Sequence, residues 1–230
     1  MTKTDTPAAS LSPADMTLDA LRPHLVEAML PHVPFDGWTG RAVDSAAADL
    51  GVVPAMARLV FSGDAVDMVD AYIATADVKM AAALDTDAFR ALKVRQKITM
   101  AIRTRLEQAA PHREAIRRSS AVLAQPGNAG RAARLTWRTA DGIWRLCGDT
   151  STDFNYYTKR ALAGAVYAAT LLFWMDDESE DFADSWAFLD RRINGIMQIE
   201  KAKARLRNIA GGERLSPARF LGRLRYPVDG

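Results

Sequence analysis

Residues 38–61 read WTGRAVDSAAADLGVVPAMARLVF, and the fold turns on how this stretch is parsed. Trp38, Ala42, Val43, Ala46 and Leu50 recur at helical spacing, so Trp38–Leu50 is expected to form a helix with one buried face. Gly51 follows immediately and suits a left-handed C-terminal cap. Pro54 then opens a short second helix, PAMARLVF, where its missing N–H costs nothing. A helix, a tight glycine turn and a short helix together make a helix-turn-helix layout.

The flanks extend that layout. Upstream, Leu18, Leu21, Leu25 and Met29 form one stripe of a helix running to about Pro31, which PHVPFDG breaks. Downstream, Asp64 starts a long helix with Val66, Val69, Ile73, Ala76, Met80 and Leu84 at spacings of three and four. Further helices are expected over about 87–109, from PHRE to about Ala124, 131–147, from about 150 through the apolar run to 175, and 182–205. No strand and no internal repeat is visible. The whole is expected to be all-α: a degenerate helix-turn-helix part at 16–84 and a helical bundle at 85–208, to which the resemblance described below assigns lipid binding and dimerisation, about ten helices in the TetR-like arrangement. A helical bundle without that motif is the alternative. Residues 1–15 are expected to be a disordered polar tail without the apolar core of a signal peptide. Residues 213–226 are expected to form a separate amphipathic helix behind Gly211-Gly212.

Charge narrows the functions. The chain's net charge of +2 hides a strong asymmetry. Residues 38–77 carry two arginines, Arg41 and Arg58, against six aspartates, whereas residues 200–226 carry eight Lys or Arg against two glutamates. A DNA reader needs Arg, Lys, Asn or Gln at base edges and cations at phosphates. Here the short helix offers Arg58 amid Met56, Leu59, Val60 and Phe61, and Asp64, Asp67 and Asp70 follow it. Nucleic acid is therefore not expected as a partner, although a TetR-type ligand-responsive regulator is the second reading.

Chemistry is equally sparse. The sequence has no Glu-x-x-His pair, no Cys-x-x-Cys, no glycine-rich phosphate loop and no Gly-x-Ser-x-Gly elbow. No catalytic residue, metal ligand or resident cofactor is expected. Cys147 is the only cysteine, so an intramolecular disulfide is impossible, which fits a reducing compartment. The longest uncharged run, Ala161 to Met175, has fifteen residues, short of the ~20 that span a bilayer.

Two surfaces stand out. In TSTDFNYYTKR (150–160), Asp153, Tyr156, Tyr157 and Arg160 lie at offsets 0, 3, 4 and 7 on one helix face. Tyr and Arg beside a carboxylate are the residues that dominate protein–protein hot spots. Near the C-terminus, Phe220, Leu221 and Leu224 make an apolar stripe flanked by Arg219 and Arg223, as in a short helix lying on an anionic membrane.

The stretches GDTSTDFNYYTKRALAGAVYAATLLFW (148–174), DFADSWAFLDRRI (181–193) and VPFDGWTGRAVDSAAADLG (33–51) resemble the ubiquinone-biosynthesis accessory family usually called Coq-nine. The resemblance covers about residues 16–226. It implies a TetR-like fold without DNA binding, a homodimer, a cavity holding a lipid or isoprenoid quinone precursor, and a terminal helix on the membrane surface. It further implies a partner, the di-iron demethoxyubiquinone hydroxylase, and a cytoplasmic protein peripherally attached to the inner membrane. The partner patch maps to Asp153, Tyr156, Tyr157 and Arg160, with Tyr156 standing where the family commonly has Trp. Trp137, Trp144, Phe173 and Trp174 are the aromatic residues expected to line the lipid cavity.

Overall fold

The computed structural model describes residues 12–61, 64–149 and 154–209, with the side chains of 154, 155, 197 and 199–209 outside the description. Asp153 and the proposed membrane residues Arg219, Phe220, Leu221, Arg223 and Leu224 lie outside the described residues. All described elements are helical: α1 (Leu18–Met29), α2 (Val33–Asp36), α3 (Gly40–Asp49), α4 (Pro54–Val60), α5 (Ala65–Ala83), α6 (Asp87–Arg90), α7 (Val94–Ala109), α8 (Arg113–Leu123), α9 (Ala129–Leu146), α10 (Phe154–Met175) and α11 (Ala183–Ile209), with one short 3-10 turn before α1 and three between later helices. The chain divides into two compact units, Met1–Asp190 and Arg191–Gly230; α11 runs from the first into the second.

The N-terminal helices form as their caps and stripes dictate. Thr17 caps α1 by accepting from the Ala20 amide, and Leu21, Leu25, Val26 and Met29 are fully buried. Leu18, expected on that stripe, is exposed because it sits in the first turn, beyond the reach of the core. Gly51 adopts φ +66°, and the amides of Gly51 and Val52 return to the carbonyls of Ala48 and Ala47. This is a Schellman closure, which satisfies the end of α3 and sends the chain into α4. Trp38, Ala42, Val43 and Ala46 join the α1 stripe and Val60 and Phe61 of α4 in one apolar core. Arg22 fastens the end of α4 by donating to the Val60 carbonyl (2.8 Å) and lying over the Phe61 ring.

Three expectations need correcting. PHVPFDG is not a plain break: Val33–Asp36 makes one helical turn, closed by Gly37 at φ +69°. The helix expected over 87–109 is two helices. Thr86 caps α6 through the Phe89 amide, the buried Phe89 turns inward, and the extended backbone of Lys93 starts α7 afresh. The tail assigned to 1–15 includes a 3-10 turn at Pro13–Asp15.

Behind the N-terminal part, α5 packs on α1, α7 and α9, and α9 pairs with α10. Gly164 lets α9 and α10 approach closely, since an added Cβ there would meet Thr136 Cγ2 at 3.3 Å. Gly164 faces Thr136 while Arg160 reaches Asp141, so the two helices run antiparallel.

The end of α10 is pinned from α8. Arg113 donates to the Asp177 carbonyl (2.5 Å) and lies over the rings of Trp174 and Phe182; Arg117 donates to the Met175 carbonyl (2.5 Å). Phe182 itself has φ +57°, a left-handed backbone that a bulky residue adopts only when its surroundings impose it. Here the rings of Trp174 and Trp186 flank it, and Trp186 Nε1 bonds the Asp181 carbonyl (2.8 Å). Asp177 ties the same turn to the start of α11 by accepting from the backbone and hydroxyls of Ser179 and Ser185. Burial pushes its carboxyl up, but these bonds outweigh burial and hold it at about 2, below its ordinary 3.8. A depressed native pKa stabilises the fold above the unfolded value and loses that contribution as acid protonates the group. Unfolding free energy measured by urea titration is therefore expected to fall from about pH 4 towards pH 2. The Asp177→Asn variant should lack this part of the acid response; an identical response in the variant would refute the assignment.

Candidate functional site

The start of α10 lies against the end of α9 and carries the ring-rich surface. Tyr157 is 61% exposed. Its ring meets Tyr156 edge-on at 5.1 Å and Trp137 of α9 at 6.0 Å, and Trp137 also reaches Tyr156 at 6.3 Å. Three rings thus form one cluster with an outward tyrosine. Aromatic pairs of this kind hold each other's orientation and present flat area at small entropic cost.

Arg160 was expected on the contact surface with the tyrosines. The structure places it beneath them, only 2% exposed. It donates to Asp141 (2.5 Å), to Asp149 (3.0 Å) and to the Tyr156 carbonyl (3.2 Å), and stacks under the Tyr156 ring at 3.5 Å. Burial opposes the Arg160 charge, but the hydrogen bonds to the two aspartates prevail and raise its pKa. Asp141 also pairs with Arg145 (2.8 Å), and Asp149 with Lys159 (2.7 Å). The Tyr156 hydroxyl reaches Asp141 at 3.3 Å, and Trp144 Nε1 donates to the Lys159 carbonyl. Charged hydrogen bonds of this sort fix side-chain geometry. Arg160 is therefore a support beneath Tyr156 and Tyr157 rather than part of the exposed ring surface.

The four aromatic residues expected to line a lipid cavity are not brought together. Trp137 belongs to the tyrosine cluster, and Trp144 instead binds the Lys159 carbonyl and lies under the Lys159 ammonium. Trp174 is fully buried under Arg113 and Phe182, and Phe173, 38% exposed, stacks on Phe188 at 4.6 Å. Trp144 meets Lys159, fifteen residues before Trp174 on α10. At ~1.5 Å per residue that separates the two pairs by about 22 Å.

Two spaces among the described residues lie elsewhere. A groove of about 930 Å³ runs along α7, with Leu84, Leu92 and Met100 beside Lys93, Arg95 and Arg103. A chamber of about 80 Å³ lies inside the bundle. Neither was apparent from spacing, because each is bounded by residues from several helices.

The aspartates of α5 turn out to be engaged. Asp64 and Asp67 pair with Arg131, Asp70 with Arg138 (2.6 Å), and Asp77 with Arg105 (2.7 Å). They form a row in register with α9 and α7. On α4, Arg58 is held by Asp44 (2.8 Å) while Val53 and Leu59 are exposed. Cys147 is buried, and burial pushes its thiol up to about 11, so it is a poor nucleophile at neutral pH. Among the described residues no cluster of three His, Cys, Asp or Glu side chains is placed to hold a metal, and no helix is long and apolar enough to cross a membrane.

Comparison with known proteins bears on this arrangement. Residues 129–200, which hold the ring cluster and its aspartates, match the COQ9 family model. The chain is similar to "Ubiquinone biosynthesis protein COQ9, mitochondrial" from Homo sapiens, 31% identical over 188 residues that make up 79% of this chain and 59% of the relative. The Rattus norvegicus protein of that name is likewise 31% identical, over 79% of this chain and 60% of its own length. That of Drosophila melanogaster is 29% identical, over 80% of this chain and 57% of its own length. The chain thus spans about three fifths of the length of the curated relatives it matches. Among solved structures, a TetR transcriptional regulator from Nitrosomonas europaea superposes with a TM-score of 0.61 at 22% identity, covering 76% of this chain and 97% of that one. That likeness is one of fold. By sequence the chain is similar to the COQ9 proteins over most of its own length, with the family's pattern over residues 129–200, and it has a TetR-like fold.

Proposed function

We propose that the chain is a non-catalytic accessory protein of ubiquinone biosynthesis that binds isoprenoid or quinone intermediates and presents them to the membrane-associated di-iron demethoxyubiquinone hydroxylase. The observation that carries the reading is the ring surface at the start of α10: an outward Tyr157 braced by Tyr156 and Trp137 over a buried Arg160. Rigid, amphipathic rings with their orientation fixed from below are what a protein partner engages most strongly. The names of the relatives supply the pathway. The groove along α7 supports the carrier half, since Leu84, Leu92 and Met100 offer apolar surface to a lipid chain beside a polar set of Lys93, Arg95, Arg103, Glu107 and Asp190 for its head. A homodimer, and peripheral attachment to the cytoplasmic face of the inner membrane through residues 213–226, belong to the same reading.

Two measurements test it. Lipid extraction and mass spectrometry of the purified protein should yield prenyl quinones or their precursors; protein free of any prenyl lipid would end the carrier half. Affinity capture of the hydroxylase should weaken about tenfold, roughly 1.4 kcal/mol, in Tyr157→Ala, with circular dichroism unchanged. Undiminished capture would reject the ring surface as the contact.

The likeness to a TetR regulator favours a second reading, a ligand-responsive DNA-binding protein. Against it, α4 turns Val53 and Leu59 outward, and its Arg58 is occupied by Asp44. A salt-sensitive mobility shift with the gene's own upstream DNA would favour the regulator.

A further inference from the structure

The ring cluster sits in a charged frame whose two signs lie at different depths. Beneath the rings are the carboxylates: the side chain of Asp141 is 15% exposed and that of Asp149 8%. Outside them are cations: Arg145 is 75% exposed and Lys159 37%. The buried Arg160 pairs with both aspartates, so Asp141 is shared with Arg145 and Asp149 with Lys159. Three cations therefore draw on two carboxylates, and the surplus charge is positive and faces outwards.

A further cation comes from α9. Arg134, Trp137, Asp141 and Arg145 lie at offsets of 0, 3, 7 and 11, which is one face of a helix. Arg134 is exposed and has no carboxylate within salt-bridge reach among the described residues. At ~1.5 Å per residue the two arginines stand about 16 Å apart along the axis, with Trp137 between them. Tyr157, 61% exposed, lies against Trp137 at 6.0 Å, so the outward ring belongs to the same bracketed surface. The neighbouring Arg138 adds nothing here, since Asp70 of α5 holds it at 2.6 Å. With Arg138 set aside and Asp153 included, residues 133–160 still carry four cations against three carboxylates.

Charges at the rim of an interface act mainly on the approach, steering a partner and setting its orientation, while central rings decide how long it stays. We propose that the ring surface takes a protein partner whose facing patch is acidic: an apolar hollow for Tyr157 with carboxylates around it, met by Arg134 and Arg145. The proposal rests on the reading above that this surface is the contact for the hydroxylase, and specifies the chemistry the partner's side has to present. A protein fits better than an anionic bilayer, because one outward ring locked by two neighbours offers shape to a hollow and little apolar area to a lipid surface.

Rates of association with, and dissociation from, the immobilised hydroxylase test it on the full chain, in NaCl from about 50 to about 300 mM. For the unaltered chain, association should slow about fivefold across that range while dissociation stays level. The double variant Arg134→Glu, Arg145→Gln should associate about tenfold more slowly at the lower salt and lose most of the salt dependence, and Arg134→Lys should behave as the unaltered chain. Tyr157→Ala should instead speed dissociation. Salt-independent association, or a double variant that associates at full rate, would overturn the acidic partner; if Tyr157→Ala still weakens capture, the contact itself stands. No capture by the unaltered chain would bring down the reading above, and this proposal with it. Vesicles of phosphatidylglycerol in phosphatidylcholine provide the other arm: a double variant that loses vesicle binding but keeps its association with the hydroxylase would assign the cations to lipid and overturn the proposal. Both substituted arginines are exposed, so the fold should hold; should the double variant fail to fold, the salt dependence of the unaltered chain decides.

Discussion

Arg160→Met is expected to lower the unfolding free energy by about 3 kcal/mol, read from urea titration. The guanidinium is only 2% exposed and bridges Asp141 and Asp149, whose carboxylates are themselves largely shielded. Removing one member of a buried ion pair costs roughly 3–5 kcal/mol because it strands the other in a medium that solvates it poorly. The lower end applies here, since Asp141 keeps Arg145 and Asp149 keeps Lys159. The loss should have a local signature. Tyr156 rests on the Arg160 guanidinium, so its ring and that of Tyr157 should lose their fixed orientation, seen as a weakened near-ultraviolet circular dichroism signal. A cost below about 1 kcal/mol, the ordinary value of an exposed pair, would show that Arg160 is not buried in solution.

The second large effect concerns Arg105→Met. This residue lies within the bundle, linking α7 to Asp77 of α5 and Tyr167 of α10. Its loss should cost about 3–4 kcal/mol, because Asp77 is left with Thr139 and a looser approach from Arg138 at 3.7 Å. The double variant Asp77→Leu, Arg105→Met should recover most of that loss. An apolar pair of comparable volume has no charge to desolvate, and such replacements are often neutral. With Asp77→Leu alone completing the cycle, the double variant should lose much less than the sum of the two singles, and additive losses on denaturation would contradict a coupled buried pair.

What could be read from the sequence was what depends on neighbours along the chain. Leu21, Leu25 and Met29 announce α1, and Gly51 followed by Pro54 announces the turn into α4, because period and cap are local properties. The break before α7 was hidden, since residues 87–109 contain no proline or glycine to mark it; the inward turn of Phe89 and the extended backbone of Lys93 separate the two helices. The same limit governs the ring surface. Tyr157 and Arg160 lie within 60° of each other around α10 at ~100° per residue, so spacing puts them on one face. Asp141 and Asp149, contributed by α9 and the turn after it, draw Arg160 inwards and leave Tyr157 out. Trp144 and Trp174 illustrate it in reverse: similar residue types on paired helices look like partners until their positions along the axis are compared.

The row of aspartates along α5 has a mechanical meaning. Asp64, Asp67 and Asp70 engage Arg131 and Arg138 one after another, so sliding or tilting α5 against α9 breaks several contacts at once rather than one. Each is a weak, exposed tie on its own; spaced along a rod, they resist shear. Held at several points along its length, α5 is expected to move with α9 as one piece. Raised ionic strength is the simple way to slacken that fastening.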